Sequence, residues 1–172
     1  MARRLGRLDG PSFYRLPTMK TEDSDDAAEA RPQPSPTLRS LDRLVGTWEL
    51  SGEVRGRVRY EWAEGGFFLV QHVDLEQDGG RMRGLEVIGH EHTYGSERSD
   101  EIRSRFYGFT DGRTLDYVYE INGDTLTIWS VEKGSPAYYE AAFSSDGSAL
   151  NGRWVYPGGG GYVSNAVKVE QP

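Results

Sequence analysis

The sequence predicts an all-β fold: a single antiparallel up-and-down β-barrel of about ten strands, with a short N-terminal helix and a charged arm ahead of it. Three observations predict it. From Trp48 onward turn signals recur at short intervals: "RG" at 55–56, "EGG" at 64–66, "DGG" at 78–80, "TDG" at 110–112, "NGD" at 122–124, "KGSP" at 133–136 and "SDG" at 145–147. Between them lie short runs rich in β-branched and aromatic residues, which is the pattern of hairpins in series. No long helical periodicity interrupts these runs, so βαβ architectures are excluded. About ten strands in one open sheet would leave long unpaired edges, and closure into a barrel removes them.

Composition agrees. The chain has 172 residues, enough for one domain with a sizeable core and a tail. Its Gly 22, Tyr 10 and Trp 4 are high for that length and lean towards antiparallel β structure. The net charge of -7 argues against nucleic acid or an anionic membrane as the main partner. There is no cysteine, hence no disulfide framework and no thiol nucleophile. No segment approaches the ~20 apolar residues that span a bilayer.

Residues 1–36 read as a flexible charged and proline-rich arm, and 37–172 as the barrel. Arg3, Arg4, Arg7 and Arg15 precede the acidic, then proline-rich "TEDSDDAAEARPQPSP". Such a stretch buries too little apolar surface to offset the entropy of ordering it. Arg3 and Arg4 resemble a twin-arginine signal, but Gly6, Arg7, Asp9, Gly10 and Pro11 follow where an apolar run is needed. A cytoplasmic location is therefore expected. Met19 is an alternative natural start.

In "SPTLRSLDRLVG" (35–46), Leu38, Leu41, Leu44 and Val45 have helical spacing, Ser35 or Thr37 can cap and Gly46 ends the run. One short helix that plugs or leads into the barrel is expected. The first strand carries Gly46-x-Trp48, a ring expected at the closed end. Then come "RVRYEW" (57–62), "FFLVQHVDL" (67–75), "GLEVIGH" (84–90), "IRSRFYGF" (102–109), "TLDYVYEI" (114–121), "TLTIWSV" (125–131), "AYYEAAF" (137–143), "LNGRWVY" (150–156) and "YVSNAVKV" (162–169). The glycine run "PGGGG" (157–161) precedes this last, β-prone segment rather than a helix. It therefore lacks the helix N-terminus that makes a glycine loop a phosphate cradle. It is expected to join the last two strands as a mobile hairpin loop, an anion nest of backbone amides being the alternative.

The stretches "LVGTWEL", "YEWAEGGFFLVQHVDL" and "GLEVIGHE" resemble an uncharacterised bacterial family of lipocalin-like, calycin-type β-barrels. The matching residues are Gly46 and Trp48, Tyr60 and Trp62, the Gly65 and Gly66 turn, Phe68, and "EVIGH" (86–90). The resemblance runs from about Leu41 to the C-terminus. It implies a barrel with an interior pocket and, in related families, a small apolar ligand; it implies no reaction. Nitrobindins have similar barrels and bind haem through a histidine on a late strand. The last strand here has no histidine, so no haem or other cofactor is expected.

Candidate chemistry is sparse. His90-x-His92, followed by Glu97, is close to the first metal motif of cupins, and two histidines two apart on a strand share a face. The motif's closing glycine is Ser104, and no histidine follows His92, so "HEHTYGSERSD" (90–100) reads rather as a polar loop leaving a strand. His72 is expected opposite a residue between Met82 and Glu86, too far from His90 to share an ion. No metal is expected. Glu61, Asp74, Glu86, Glu91 and Glu140 are the carboxylates available for acid–base work. The aromatic set is larger, and alternation places part of it inside. The pocket candidates are Trp48, Tyr60, Trp62, His72, His90, Arg105, Tyr117, Tyr119, Trp129, Tyr138 and Trp154. The sequence thus predicts a small-molecule binding protein for a small apolar or aromatic ligand, with a homodimer as a possible assembly. Two alternatives stand beside it. One is a cyclase- or isomerase-type enzyme using a buried group among His72, Glu86, His90 and Glu140; the other is the His90/His92 metal site.

Overall fold

Leu38, Leu41 and Leu44 repeat every three residues, and the chain takes the helix that puts such a repeat on one line. The computed structural model, which describes residues 32–169, has one α-helical turn, α1 (Pro36–Arg39), tightening into a 3₁₀ helix at Ser40–Leu44. With three residues per turn, side chains at i and i+3 eclipse, and all three leucines are buried. The expected helix is therefore present but divided. The expectation of a flexible arm lies, for 1–31, outside the described residues.

Ser35 is the cap: its Oγ accepts from the Leu38 amide at 3.0 Å, and Pro36 occupies a first-turn position where no amide hydrogen is needed. The same Oγ is 2.7 Å from His90 Nε2. Ser35→Ala is expected to lower stability by about 1–2 kcal/mol, as for loss of a cap, because it removes both bonds. Urea unfolding of the variant checks this, and an unchanged midpoint would show that the helix is held by its leucines alone.

Ten strands follow: β1 (Gly46–Gly52), β2 (Val54–Trp62), β3 (Phe68–Gln77), β4 (Gly80–His90), β5 (Ile102–Gly108), β6 (Thr114–Asn122), β7 (Thr125–Ser130), β8 (Tyr138–Phe143), β9 (Ala149–Tyr156) and β10 (Gly160–Val169). Each pairs antiparallel with the next, and β10 closes on β1 from Thr47↔Val169 to Gly52↔Ser164. The barrel has no free edge among the described residues, as the sequence predicts.

One turn signal is misplaced by sequence. "RG" at 55–56 is no turn; Gly56 lies inside β2 with φ +125°, and a Cβ there would sit 2.3 Å from the Asp74 carbonyl oxygen. Glycine is present because the β3 backbone comes that close. The chain reverses instead at residues 52–53.

The helix fills one end of the barrel, and every other connection is at that end. Its leucines pack into a core with Trp48, Leu69, Ile88, Ile102, Leu126 and Phe143. Polar contacts pin it to the rim. Trp62 Nε1 donates to Asp42 Oδ1 at 2.7 Å, and Arg43 donates to the Gly123 carbonyl at 2.8 Å. The opposite end carries the short turns β3–β4, β5–β6 and β9–β10. The glycine run forms this last hairpin, with Gly158 and Gly159 both at φ +87°.

The outer surface carries many charged side chains alongside exposed apolar ones such as Phe68, Val163 and Val167. β2 turns out Arg55, Arg57, Arg59 and Glu61, and bidentate pairs such as Arg81–Asp74 and Arg105–Asp116 run between strands. These pairs are solvated and contribute little individually. No helix among the described residues is long and apolar enough to cross a membrane.

Candidate functional site

Strand alternation decides which rings face the interior. β2 turns Tyr60 inward, β6 Tyr117 and Tyr119, β8 Tyr139, β9 Trp154 and Tyr156, and β10 Tyr162. They surround a cavity of about 450 Å³ floored by Leu44 and Trp48. Towards the end away from the helix, the rings make a continuous wall. Trp154 stands 5.8 Å from Tyr117, 5.6 Å from Tyr139 and 6.2 Å from Tyr156, which is 6.3 Å from Tyr162. These are the spacings at which aromatic pairs attract. Met82 and Tyr156 line the cavity and are also exposed, so it reaches the surface between the turns of that end.

Among the described residues, the one acidic side chain lining the cavity is Glu86, on β4, with 4% of its surface exposed. Ser104 Oγ donates to its Oε1 at 2.5 Å, and the Tyr119 hydroxyl donates to the same oxygen at 2.9 Å. Every sealed side-chain nitrogen and oxygen among the described residues has a partner. No bond from a described residue reaches Oε2, so this oxygen opens on the cavity. Burial pushes the Glu86 pKa up to about 7, against the pull of the two hydrogen bonds. The Tyr60 and Tyr119 hydroxyls are held well above their ordinary range, first by burial and then by repulsion from Glu86. Burial likewise raises Tyr139 to about 12. Tyr60 accepts a hydrogen bond from Gln71 Nε2 at 2.6 Å, and Tyr139 donates to the Ser164 carbonyl at 3.3 Å.

The candidate residues divide by parity and height. Trp48, Tyr60, Tyr117, Tyr119 and Trp154 line the cavity. Trp62 and His90 stand at the helix end beneath it: Trp62 bonds Asp42, and His90 is engaged at both ring nitrogens, by Ser35 and by the Glu101 carbonyl at 3.1 Å. His72, Arg105, Trp129 and Tyr138 lie on the outer face. His72 pairs with Glu61 at 2.8 Å, Arg105 with Asp116, and Trp129 sits opposite Tyr138 with the Lys133 ammonium 5.5 Å from its ring. Tyr138 and Tyr139 are neighbours on one strand, so only one of them can face in.

His72 pairs with Leu85 across the β3–β4 hairpin, inside the expected interval. β4 ends at His90, so His92 belongs to the loop that follows and is exposed. The two do not share a strand face. Among the described residues no three of His, Asp and Glu gather as a metal site requires, and both His90 nitrogens already have partners. This geometry does not favour the metal alternative.

Of the five carboxylates named from sequence, Glu86 alone turns inward. Gln71, Ser104, Ser164, Tyr156 and Tyr162 are cavity-side residues that sequence reasoning did not select. Two of them carried a signal: Tyr156 follows Trp154 by two, and Tyr162 pairs with Trp154 across the final hairpin. Once 157–159 is taken as the turn, all three share one face. A carboxyl that titrates near neutrality can hold or release a proton at Oε2, or face a cation there. No family model matches the chain, and no curated protein matches it.

Proposed function

We propose that this chain is a small-molecule binding protein whose barrel takes up a small, largely apolar or aromatic ligand. The observation that carries the reading is the ring-lined cavity itself, open at one end. Its size falls in the roughly 300–1,000 Å³ range of small-molecule pockets, and it combines apolar walls with few polar atoms, as such pockets do. Tyrosine and tryptophan offer flat apolar surface with a polar edge, which suits an aromatic guest. The closed ten-stranded barrel is consistent with a lipocalin- or calycin-like fold, which supports this reading.

A neutral fluorescent aromatic probe, N-phenyl-1-naphthylamine, tests the reading. One equivalent is expected to bind with a rise in its fluorescence and quenching of tryptophan emission. Ser164 is buried on the cavity wall, so Ser164→Trp fills the space and is expected to weaken binding at least ~10-fold, about the loss of one buried ring contact. Near-UV circular dichroism checks that the variant is folded. Full-strength binding by the folded variant would put the probe elsewhere on the protein.

A further inference from the structure

We infer that the molecule taken by this cavity carries a protonated amine, with Glu86 as its counter-ion and the tyrosine and tryptophan rings as its walls. This rests on the binding reading above and names the chemistry of the ligand. Three features meet at Glu86. Its carboxyl is nearly solvent-free, its two protein donors converge on Oε1, and Oε2 is turned to the cavity without a protein partner among the described residues. A desolvated carboxylate is costly unless a cation or donors meet it. The groups facing it are the hydroxyls of Tyr60 on β2, Tyr117 and Tyr119 on β6, and Ser104 on β5. None supplies positive charge. Arg113, on the β5–β6 turn, is the one cationic side chain lining the cavity among the described residues, and it is paired with Asp111 at 3.2 Å. His90 lies four residues further along β4, at the closed end, bonded to Ser35 and Glu101.

The walls add a second attraction for a cation. The π-face of each ring is negative, and an ammonium within about 6 Å of a tyrosine or tryptophan centroid is drawn to it, more strongly when desolvated. Tyr117, Tyr139 and Trp154 form one ring cluster, and the Tyr117 hydroxyl feels the Glu86 charge. Carboxylate and rings are therefore set close together in one apolar chamber. A net charge of -7 on the chain also favours the approach of cations over anions.

The competing chemistry is a neutral ligand that accepts a proton-mediated bond from the protonated Glu86. The two differ in the sign of their pH dependence. An amine needs the ionised carboxylate. With Glu86 titrating at about 7, amine affinity is expected to be about tenfold higher at pH 8 than at pH 6, the ratio of ionised fractions. A ligand that accepts from the protonated form binds more tightly at pH 6.

The experiment displaces N-phenyl-1-naphthylamine with the near-isosteric pair 4-phenylbutylamine and 4-phenylbutanol at both pH values, on the full chain and on Glu86→Gln. The expected result is an amine preferred over the alcohol by the wild type, tighter at pH 8, with preference and pH dependence both lost in E86Q while the alcohol binds as before. Gln keeps the acceptor for Ser104 and Tyr119, and unchanged alcohol binding shows the cavity intact; the pH comparison needs no variant. An alcohol that matches the amine, or an amine that binds better at pH 6, overturns the inference and leaves the cavity reading standing. If the probe itself does not bind, the cavity reading falls and takes the inference with it.

Discussion

Trp48→Ala is expected to destabilise the barrel by about 3–5 kcal/mol, the usual range for truncating a buried tryptophan. The ring is 1% exposed and touches the helix, β8 and β10 at the closed end of the barrel. Below it, Nε1 donates to the Leu44 carbonyl at 2.7 Å, which ties β1 to the last turn of the 3₁₀ helix. Beside it, Phe143 packs at 6.4 Å in a tilted arrangement. Along β10, directly paired with it, Lys168 holds its ammonium 4.9 Å from the ring centroid while donating to the Arg43 carbonyl at 3.1 Å. Alanine leaves a void between helix and cavity, and the Leu44 carbonyl loses its side-chain donor. Trp48→Phe separates the terms: it keeps most of the packing and loses the indole bond, so it is expected to cost about 1–2 kcal/mol. Urea unfolding measures both. A loss below about 1 kcal/mol for the alanine variant would show that the helix end is held without the indole.

The barrel was legible in the sequence because hairpin signals are local. Asp-Gly and Asn-Gly turns fix where strands begin and end, and each misreading has a tertiary cause. Gly56 resembles a turn glycine by composition, yet it is required by the approach of the Asp74 carbonyl from the neighbouring strand, which no local pattern reports. The helix was legible as a leucine repeat, but whether three-residue spacing gives one α-helix or an α-turn and a 3₁₀ helix depends on which leucines the barrel floor accepts.

The site was less legible. Parity separates the inward Tyr117 and Tyr119 from Trp129 and Tyr138 only when each strand's register is known. A sequence rich in adjacent aromatics, such as "YVYEI" or "AYYEA", supports either choice. Height along the barrel is a second unknown: Trp62 and His90 have inward parity, and they sit under the floor with the helix rather than in the cavity. Glu86 shows the limit most clearly. Its neighbours "GLEVIG" read as an ordinary exposed acid on a strand. That it is the carboxylate of the interior follows from Ile88 and Gly84 sharing its face, and that its Oε2 has no partner among the described residues follows only from Ser104 and Tyr119 converging on Oε1, 18 and 33 residues away.

That free oxygen makes the last prediction, an inverted one: Glu86→Gln is expected to stabilise the protein at pH 8 by on the order of 3 kcal/mol, and to leave it nearly unchanged at pH 4.5. Burial raises the folded-state pKa from 4.5 to about 7. Folded protein therefore keeps this proton in a range where the unfolded chain has released it. Below about pH 4.5 both states are protonated and the group's favourable contribution is fully present. As pH rises towards 7 the unfolded chain gains by ionising and stability falls; above 7 the folded carboxyl ionises as well and the loss is complete. The span is about 2.5 pKa units at ~1.36 kcal/mol each. Asp74, Asp116 and Glu61 are held low by hydrogen bonds to arginine and Asp146 is lowered to about 2 by those of Ser144 and Ser148, so their stabilising contribution is gained as pH rises through the acid range and is nearly complete by about pH 5. They act alike in both proteins, so the difference between the two stability curves isolates Glu86. Glutamine keeps the acceptor for Ser104 and Tyr119 and carries no charge at any pH. Urea unfolding of wild type and variant at intervals from pH 4.5 to 8 gives the difference directly. A difference that stays flat across that interval would mean that solvent in the cavity hydrates Oε2 as well as bulk water does, and a cavity that wet would not suit the largely apolar guest proposed for it.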